Sequence, residues 1–368
     1  MGRLNFLVLI SLIYLRVGAY GVTDETSIPD IPCFPMGSAS FRDGLPTANR
    51  TEWFCDSDQL FGFLGFSYPM ESFDCESDIY SYQHLYTDLS RMKSEFGATF
   101  VRTYLPGCRE TFVWVNLVKA ARDLDMAIIP MLYWDWQRND TYMYKSEDAL
   151  MGVFEDPEVG EISPYVIHSV AFGDELGEQG DYWLPLMKEM KAKLARYDVP
   201  ITVTDDWDRD IYRKGGKLNE FGTLVNQLSD LTNAHGEYLI YNVVDNHLPP
   251  AVMPYYHADR CPDAYHYWDY FQEQIEFMID NDLKRPILIS QTLWSSSHEG
   301  IHDRGLHDEA RDLANFETYW NTILDRCLYF KEKKIGWFVH AYDDDGEPGM
   351  GMIDHQGQVK MRFHPKRC

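Results

Sequence analysis

From residue 60 onward the chain alternates short apolar runs of β-type residues with helical stretches, and it does so eight times. The runs lie at 61–68, 99–104, 127–133, 169–173, 201–204, 238–244, 286–290 and 336–340. The helical stretches between them include 111–124, 182–197, 219–232, 267–281 and 313–333. Strands separated by helices pair in parallel, because each crossover carries the chain back to the starting edge of the sheet. Eight such units over roughly 300 residues predict an α/β fold of the (β/α)8 kind, a TIM barrel. An open doubly wound sheet is the alternative, and it is disfavoured because no G-x-G-x-x-G follows the first run. Residues 20–58, rich in Pro, Asp and Ser, read as an irregular N-terminal arm, and 59–368 as the barrel. No internal repeat is visible, and the connection 245–283 is long.

Residues 1–19 read as a signal peptide: Arg3, a mostly apolar run at 4–15, then the small-residue ending Val17-Gly18-Ala19. The run is too short to span a bilayer, no later segment reaches 18 uninterrupted apolar residues, and the tail 360–368 is basic and polar. A secreted, extracellular protein without a membrane anchor is expected, the cell wall being one candidate location. Export gives the 7 cysteines a use: Cys33, Cys55, Cys75, Cys108, Cys261, Cys327 and Cys368 allow up to three disulfides with one thiol over. It also makes Asn49-Arg50-Thr51 and Asn139-Asp140-Thr141 N-glycosylation sequons. Lys+Arg 33 against Asp+Glu 58 leaves a net charge of −25, which argues against a nucleic-acid partner, since phosphates need cationic side chains. A neutral polysaccharide suits this charge. The 10 Trp, 24 Tyr and 20 Phe supply flat rings that stack on sugar faces, as well as filling a core. No cofactor is expected, and the sequence leaves the oligomeric state open.

In a barrel of this kind, chemistry gathers at the carboxyl ends of the strands. Those ends read Arg102-Thr103-Tyr104, Tyr133-Trp134-Asp135-Trp136, Gly173-Asp174-Glu175, Asp205-Asp206-Trp207, Asn242 to Asn246, Gln291 to Trp294 and His340 to Asp345. A ring of carboxylates, amides and aromatic rings around one mouth describes a carbohydrate site. Strand ends turn polar simply on reaching solvent, but that does not account for the tryptophans concentrated there. Arg102 and Tyr104 are candidates to orient catalytic carboxylates, a buried structural ion pair being the equal alternative for Arg102. Trp134, Trp136, Trp207 and Trp294 are candidate stacking platforms, with core packing the alternative for at least half of them. Asp174, Asn242, His340 and Asp343 complete the substrate-binding candidates.

Two metal patterns compete with this reading. His298-Glu299-Gly300-Ile301-His302 matches H-E-x-x-H, which binds zinc when both His project from one helical face. Here Ser295-Ser296-Ser297 precedes it and Gly300 interrupts it, so the stretch reads as a loop, and a zinc metalloprotease is the remote alternative. Asp343-Asp344-Asp345 fails as a calcium loop because Asp354 stands where the bidentate Glu belongs. No metal site is expected.

Four motifs in barrel order carry a family resemblance. Val101-Arg102-Thr103-Tyr104 followed by Cys108, Val170-Ala171-Phe172-Gly173-Asp174-Glu175, Ile287-Leu288-Ile289-Ser290-Gln291-Thr292-Leu293-Trp294-Ser295, and Trp337-Phe338-Val339-His340-Ala341-Tyr342-Asp343-Asp344 follow one another at strands two, four, seven and eight. Over roughly residues 60–363 the chain resembles glycoside hydrolase family 17, the β-1,3-glucanases and glucanosyltransferases. The resemblance implies a β-glucan ligand, Glu175 as the acid/base, and position 291 as the nucleophile. This chain departs from the family pattern there, with Gln291 in place of Glu, Asp174 in place of Asn and His340 in place of Glu. A retaining glycosidase needs two carboxyl groups ~5–5.5 Å apart, one to protonate the leaving oxygen and one to attack the anomeric carbon. A neutral amide neither attacks nor stabilises an oxocarbenium ion by charge. The expectation is therefore a β-1,3-glucan-binding protein with lost or weak hydrolysis, a pseudoenzyme. The alternative is an active hydrolase or transglycosylase in which Glu299, Asp343 or Asp344 substitutes for the missing carboxylate.

Overall fold

A computed structural model describes residues 32–56, 58–132, 140–205, 207, 209–234, 254–256, 260–281, 287–298 and 310–365. Eight parallel strands form one sheet: β1 Gly62–Tyr68, β2 Phe100–Thr103, β3 Ala127–Ile129, β4 Val170–Asp174, β5 Ile201–Asp205, β6 Thr232–Ala234, β7 Ile287–Thr292 and β8 Ile335–His340. Their spatial order is β3-β2-β1-β8-β7-β6-β5-β4. The outer pair, β3 and β4, meet through isolated parallel bridges at Ile128–Ile167 and Met131–Ala171, so the sheet curls round on itself. There the Ala171 amide donates to the Pro130 carbonyl at 2.9 Å and the Leu132 amide to the Ala171 carbonyl at 3.0 Å. The barrel expected from the alternating pattern is thus the fold observed. β1 crosses unusually close to β2: a Cβ at Gly65 would lie 1.8 Å from the Phe100 carbonyl oxygen, which only glycine permits.

The main helices are α1 Tyr82–Phe96, α2 Thr111–Asp123, α3 Asp140–Phe154, α4 Leu184–Leu194, α5 Glu220–Leu228, α6 Trp268–Asp280, α7 Leu313–Asp325 and α8 Cys327–Lys333. Most of them bury one stripe. In α1 the stripe is Leu85, Leu89, Met92 and Phe96, at the four- and three-residue spacing of a helix face. Ser81 caps its start by accepting from the His84 amide, and Gly97 ends it in the left-handed region at φ 73°. One sequence boundary moves. The sixth strand lies at Thr232–Ala234, starting at the last residue of the stretch read as a helix over 219–232, because Ser229 turns extended after Leu228 and Asp230 bonds across to β5 through the Ile201 backbone. The run 238–244 lies outside the described residues.

Inside the barrel, Leu64, Phe100, Ala127, Ile129, Leu288 and Phe338 form a second core, distinct from the one under the helices. The described part of the arm packs into this core at the N-terminal ends of the strands. Phe34 is fully buried and stacks on Trp53 at 5.1 Å, and the Cys33–Cys55 disulfide ties the two flanks of this plug together. Arg50 fixes its outer edge, donating to the carbonyls of Pro164 (2.8 Å), Ile167 (2.9 Å) and His168. Burying Phe34 alone contributes about 1.5–3 kcal/mol. Beneath it His168 is buried edge-on to Phe54 and Phe100, and burial followed by repulsion from Arg50 pushes its pKa down to about 3. With one end plugged, side-chain chemistry is left to the opposite, carboxyl end. A second disulfide, Cys75–Cys108, joins the segments after β1 and β2 at that end, and Cys327 is also disulfide-bonded. Cys261 is buried. No helix among the described residues is long and apolar enough to cross a membrane. Residues 1–19 and the sequon at Asn139 lie outside the described residues, whereas Asn49 caps the short helix Arg50–Trp53.

Candidate functional site

At the carboxyl ends of β2, β4, β7 and β8, six side chains join in one hydrogen-bonded chain. Arg102 and Asp174, both fully buried, pair at 3.1 Å. The same Asp174 oxygen, Oδ2, accepts from Gln291 Nε2 at 3.1 Å. With its amide nitrogen committed to a carboxylate, Gln291 turns its Oε1 toward Tyr104, whose hydroxyl donates to it. The Tyr104 oxygen also lies 2.7 Å from His340 Nδ1, and His340 Nε2 lies 2.7 Å from Glu347 Oε2. Tyr104 has one hydroxyl hydrogen and gives it to Gln291, so at this contact the imidazole donates to Tyr104 from Nδ1. The Arg102 guanidinium also lies over the Tyr104 ring, 4.5 Å from its centroid. Burial lifts the Asp174 carboxyl above its ordinary range, while Arg102, His340 and the Gln291 amide pull it the other way.

Period-two alternation alone does not assign Glu175, the residue after β4. It sits in the left-handed region at φ 52°, its amide donates to the Thr204 carbonyl at 3.0 Å, and it is 3% exposed. Its Oε1 pairs with Arg209 at 3.0 Å. Arg209 in turn pairs through Nε with Asp205 Oδ1 at 2.9 Å. Asp205, ending β5, also accepts from the Tyr212 hydroxyl at 2.5 Å and the Gly177 amide at 2.6 Å. Glu175 and Asp205 thus share one buried cation, Arg209.

The structure thus brings Arg102, Tyr104, Asp174, Gln291 and His340 together, with Glu175 in an adjoining ion-pair network. Other expected residues go elsewhere. Trp207 is buried with its ring 5.6 Å from that of Tyr212. Trp294 has no exposed surface, packs 5.5 Å from the Tyr319 ring, and donates its indole N–H to the Ala310 carbonyl at 2.8 Å. These two rings serve the core, where a buried indole finds its hydrogen-bond partner. Asp343 is half-buried and accepts from the Asp345 amide at 3.1 Å. Burial raises its carboxyl to about 6, against the Asp345 bond, with Asp345 and Asp88 of α1 repelling it. Asp344 is held through Oδ1 by Lys360 at 2.6 Å and by the amides of Gly349 (3.1 Å) and Gly351 (2.9 Å). Trp134, Trp136, Asn242, Glu299 and His302 lie outside the described residues. Ser295–His298 runs through bends, not a helix. Among the described residues no group of three His, Cys, Asp or Glu is placed to hold a metal ion.

Sequence reasoning missed Glu347, Arg209 and Glu71. Arg209 carried a readable signal, four residues after Asp205 on a turn. Glu347 and Glu71 lie in loops with no periodicity to aim them. Glu71 follows β1, and although the residue as a whole is exposed, desolvation and then repulsion by Glu347 raise its carboxyl, with His340 pulling it down.

No family model matches the sequence, and no curated protein matches it. Among solved structures, the chain is similar to an active-site mutant of the Rhizomucor miehei β-1,3-glucanosyltransferase in complex with laminaritriose: 15% identity over 83% of this chain and 98% of that chain, TM-score 0.58. It is also similar to an endo-laminarinase from Formosa Hel1_33_131, at 16% identity over 83% of this chain and 87% of that chain, TM-score 0.58. A third is the endo-β-1,4-mannanase from Thermotoga petrophila, at 13% identity over 84% and 73%, TM-score 0.50. At these identities the likeness establishes the fold alone, a TIM barrel.

Proposed function

We propose that this is a secreted protein of glycoside hydrolase type that binds β-1,3-glucan and has lost most or all hydrolysis. The observation that carries the reading is the state of Gln291: fully buried, neutral, and with both ends of its amide engaged, by Asp174 and by Tyr104. A retaining mechanism needs a carboxylate free to attack at that place. The buried carboxylates at the end of β4 are tied to guanidinium groups, Asp174 to Arg102 and Glu175 to Arg209. The amide keeps the size and hydrogen-bonding pattern of the site, so a sugar cleft is compatible with the loss of chemistry. The similar barrels, named for work on laminaritriose and laminarin, support a glucan ligand. On this reading residues 1–19 are removed, 20–58 form the arm, and 59–368 the binding barrel.

A second reading is favoured by one observation. Glu347, one-third exposed and 2.7 Å from His340, is a carboxylate at the edge of the chain that could activate water, which would give inversion of configuration. Two measurements separate the readings: titration calorimetry with laminari-oligosaccharides, and prolonged incubation with laminarin. Heat of binding without released sugar supports the binding protein. Turnover that Glu347→Gln abolishes supports the second reading, and no heat with any laminari-oligosaccharide, alongside tight binding of an unrelated ligand, refutes both.

A further inference from the structure

Phe73 is the most exposed of the large apolar side chains among the described residues, at 84%. It lies in the segment that leaves the carboxyl end of β1, the end of the barrel that holds the Gln291 chain. Exposed rings usually ride on loose loops, whereas this one does not. The Tyr80 hydroxyl donates to the Met70 carbonyl at 2.9 Å, reaches the Ser72 carbonyl, and accepts from the Cys108 amide at 3.1 Å. The Gly107 amide adds a bond to Met70 at 2.9 Å, and a Cβ at Gly107 would lie 2.4 Å from the Ser72 carbonyl oxygen. Beyond Phe73, Asp74 accepts from the Glu76 amide at 2.9 Å, and Cys75 is bonded to Cys108. The backbone on both sides of the ring is therefore held, and the ring itself is given to water.

Pro69, at the start of the same segment, lies against the loop that carries Glu347, a Cβ at Gly346 falling 2.9 Å from Pro69 Cγ, so the segment borders the candidate site. Phe73 follows four residues later and is fixed by the Cys75–Cys108 link, so it stays on this side of the barrel, at the carboxyl ends of β1 and β2. We propose that Phe73 is an outlying stacking platform for a pyranose ring of a neutral glycan chain that runs out of the central site. Its flat apolar face suits the C–H face of a pyranose, and the neighbouring carboxylates of Glu71 and Glu347 accept from sugar hydroxyls. The same carboxylates, in a chain of net charge −25, repel a polyanion, which commits the occupant to an uncharged polymer. This inference rests on the glucan-binding reading above and extends it to a second contact.

Titration calorimetry of wild type, Phe73→Ala, Phe73→Trp and the control Leu328→Ala against laminaribiose and laminarihexaose tests it. Leu328 is 73% exposed on α8. Expected is a tenfold or greater loss of hexaose affinity in Phe73→Ala, biose affinity unchanged, and hexaose affinity kept in Phe73→Trp and Leu328→Ala. Hexaose binding by Phe73→Ala equal to wild type, or an equal loss in Leu328→Ala, overturns the platform while leaving the glucan reading intact. Wild type that binds neither sugar overturns the reading itself.

Discussion

Gln291→Glu is the substitution that the resemblance invites, and the geometry gives it a specific cost. It replaces the Nε2 that donates to Asp174 at 3.1 Å with a second carboxylate oxygen at the same place. Two full charges 3.1 Å apart repel by roughly 5 kcal/mol at an effective dielectric constant of about 20. Proton uptake limits the damage, because one carboxyl can stay protonated in the fold. Holding a glutamic acid of ordinary pKa about 4.3 protonated at pH 7.5 costs about 4 kcal/mol, and at pH 5 about 1 kcal/mol, at 1.36 per unit. The sign follows. The folded pair has a raised pKa, so the penalty is absent below about pH 4 and grows as pH rises toward that raised value. Urea denaturation of wild type and variant at pH 5 and pH 7.5 should therefore show a stability gap of roughly 1 kcal/mol widening to 2–4 kcal/mol. Laminarin turnover at neutral pH should rise little, since the new carboxyl shares its proton with Asp174. A gap that stays constant between the two pH values would refute the shared contact, and full activity in the single variant would refute the argument that Asp174 suppresses it.

Three further outcomes follow from other contacts. His168, held near 3 when folded, takes up a proton only on unfolding, so stability present above pH 6.5 should fall by up to about 1.4 kcal/mol per unit below it; His168→Gln should flatten this limb in urea titrations. Arg209→Met leaves Glu175 and Asp205 buried without their cation and should cost about 3–5 kcal/mol by thermal or chemical denaturation, with Arg209→Lys costing less. Replacing both Cys33 and Cys55 by Ser opens a loop of sequence separation 22 and should lower stability by about 3 kcal/mol under non-reducing conditions, with the fully reduced wild type, which also loses Cys75–Cys108, falling further.

The barrel was legible because its strands announce themselves twice, by β-branched and aromatic content and by polar residues where each run ends. Runs such as 287–290, buried on both faces, need no alternation to be seen. The sixth strand was not legible: Thr232–Ala234 is three residues long and its register comes from β5 and β7, not from local pattern. At the site, the residues at strand ends were found because a strand fixes where its last side chain points. Trp207 and Trp294 show the limit of that logic, since a strand-end indole can turn into the core as readily as toward a ligand. Glu347 and Glu71 were beyond reach, being placed by loops whose course depends on the Cys75–Cys108 link and on contacts with distant strands.

Set against the pattern that the resemblance implies, the residues at 174 and 291 read as one exchange and not two. The family pattern puts an amide on strand four and a carboxylate on strand seven, and this chain puts the carboxylate on four and the amide on seven. Either arrangement makes the same hydrogen bond between the two strands, because an amide donates and a carboxylate accepts whichever strand carries it. What the exchange moves is the charge. On strand seven it would face the Tyr104 hydroxyl; on strand four it lies 3.1 Å from Arg102, which neutralises it. A change at one position alone meets the repulsion worked out above or leaves two amides and an unpaired buried Arg102, so the pair is expected to be strongly non-additive. The double variant Asp174→Asn/Gln291→Glu keeps the charge of the cluster and the hydrogen bond. It should recover most of the stability lost by Gln291→Glu at pH 7.5 and exceed it in laminarin turnover by at least tenfold. A double-mutant cycle in both stability and rate measures this directly. Additive effects within about 0.5 kcal/mol would show that the two residues do not act as a unit.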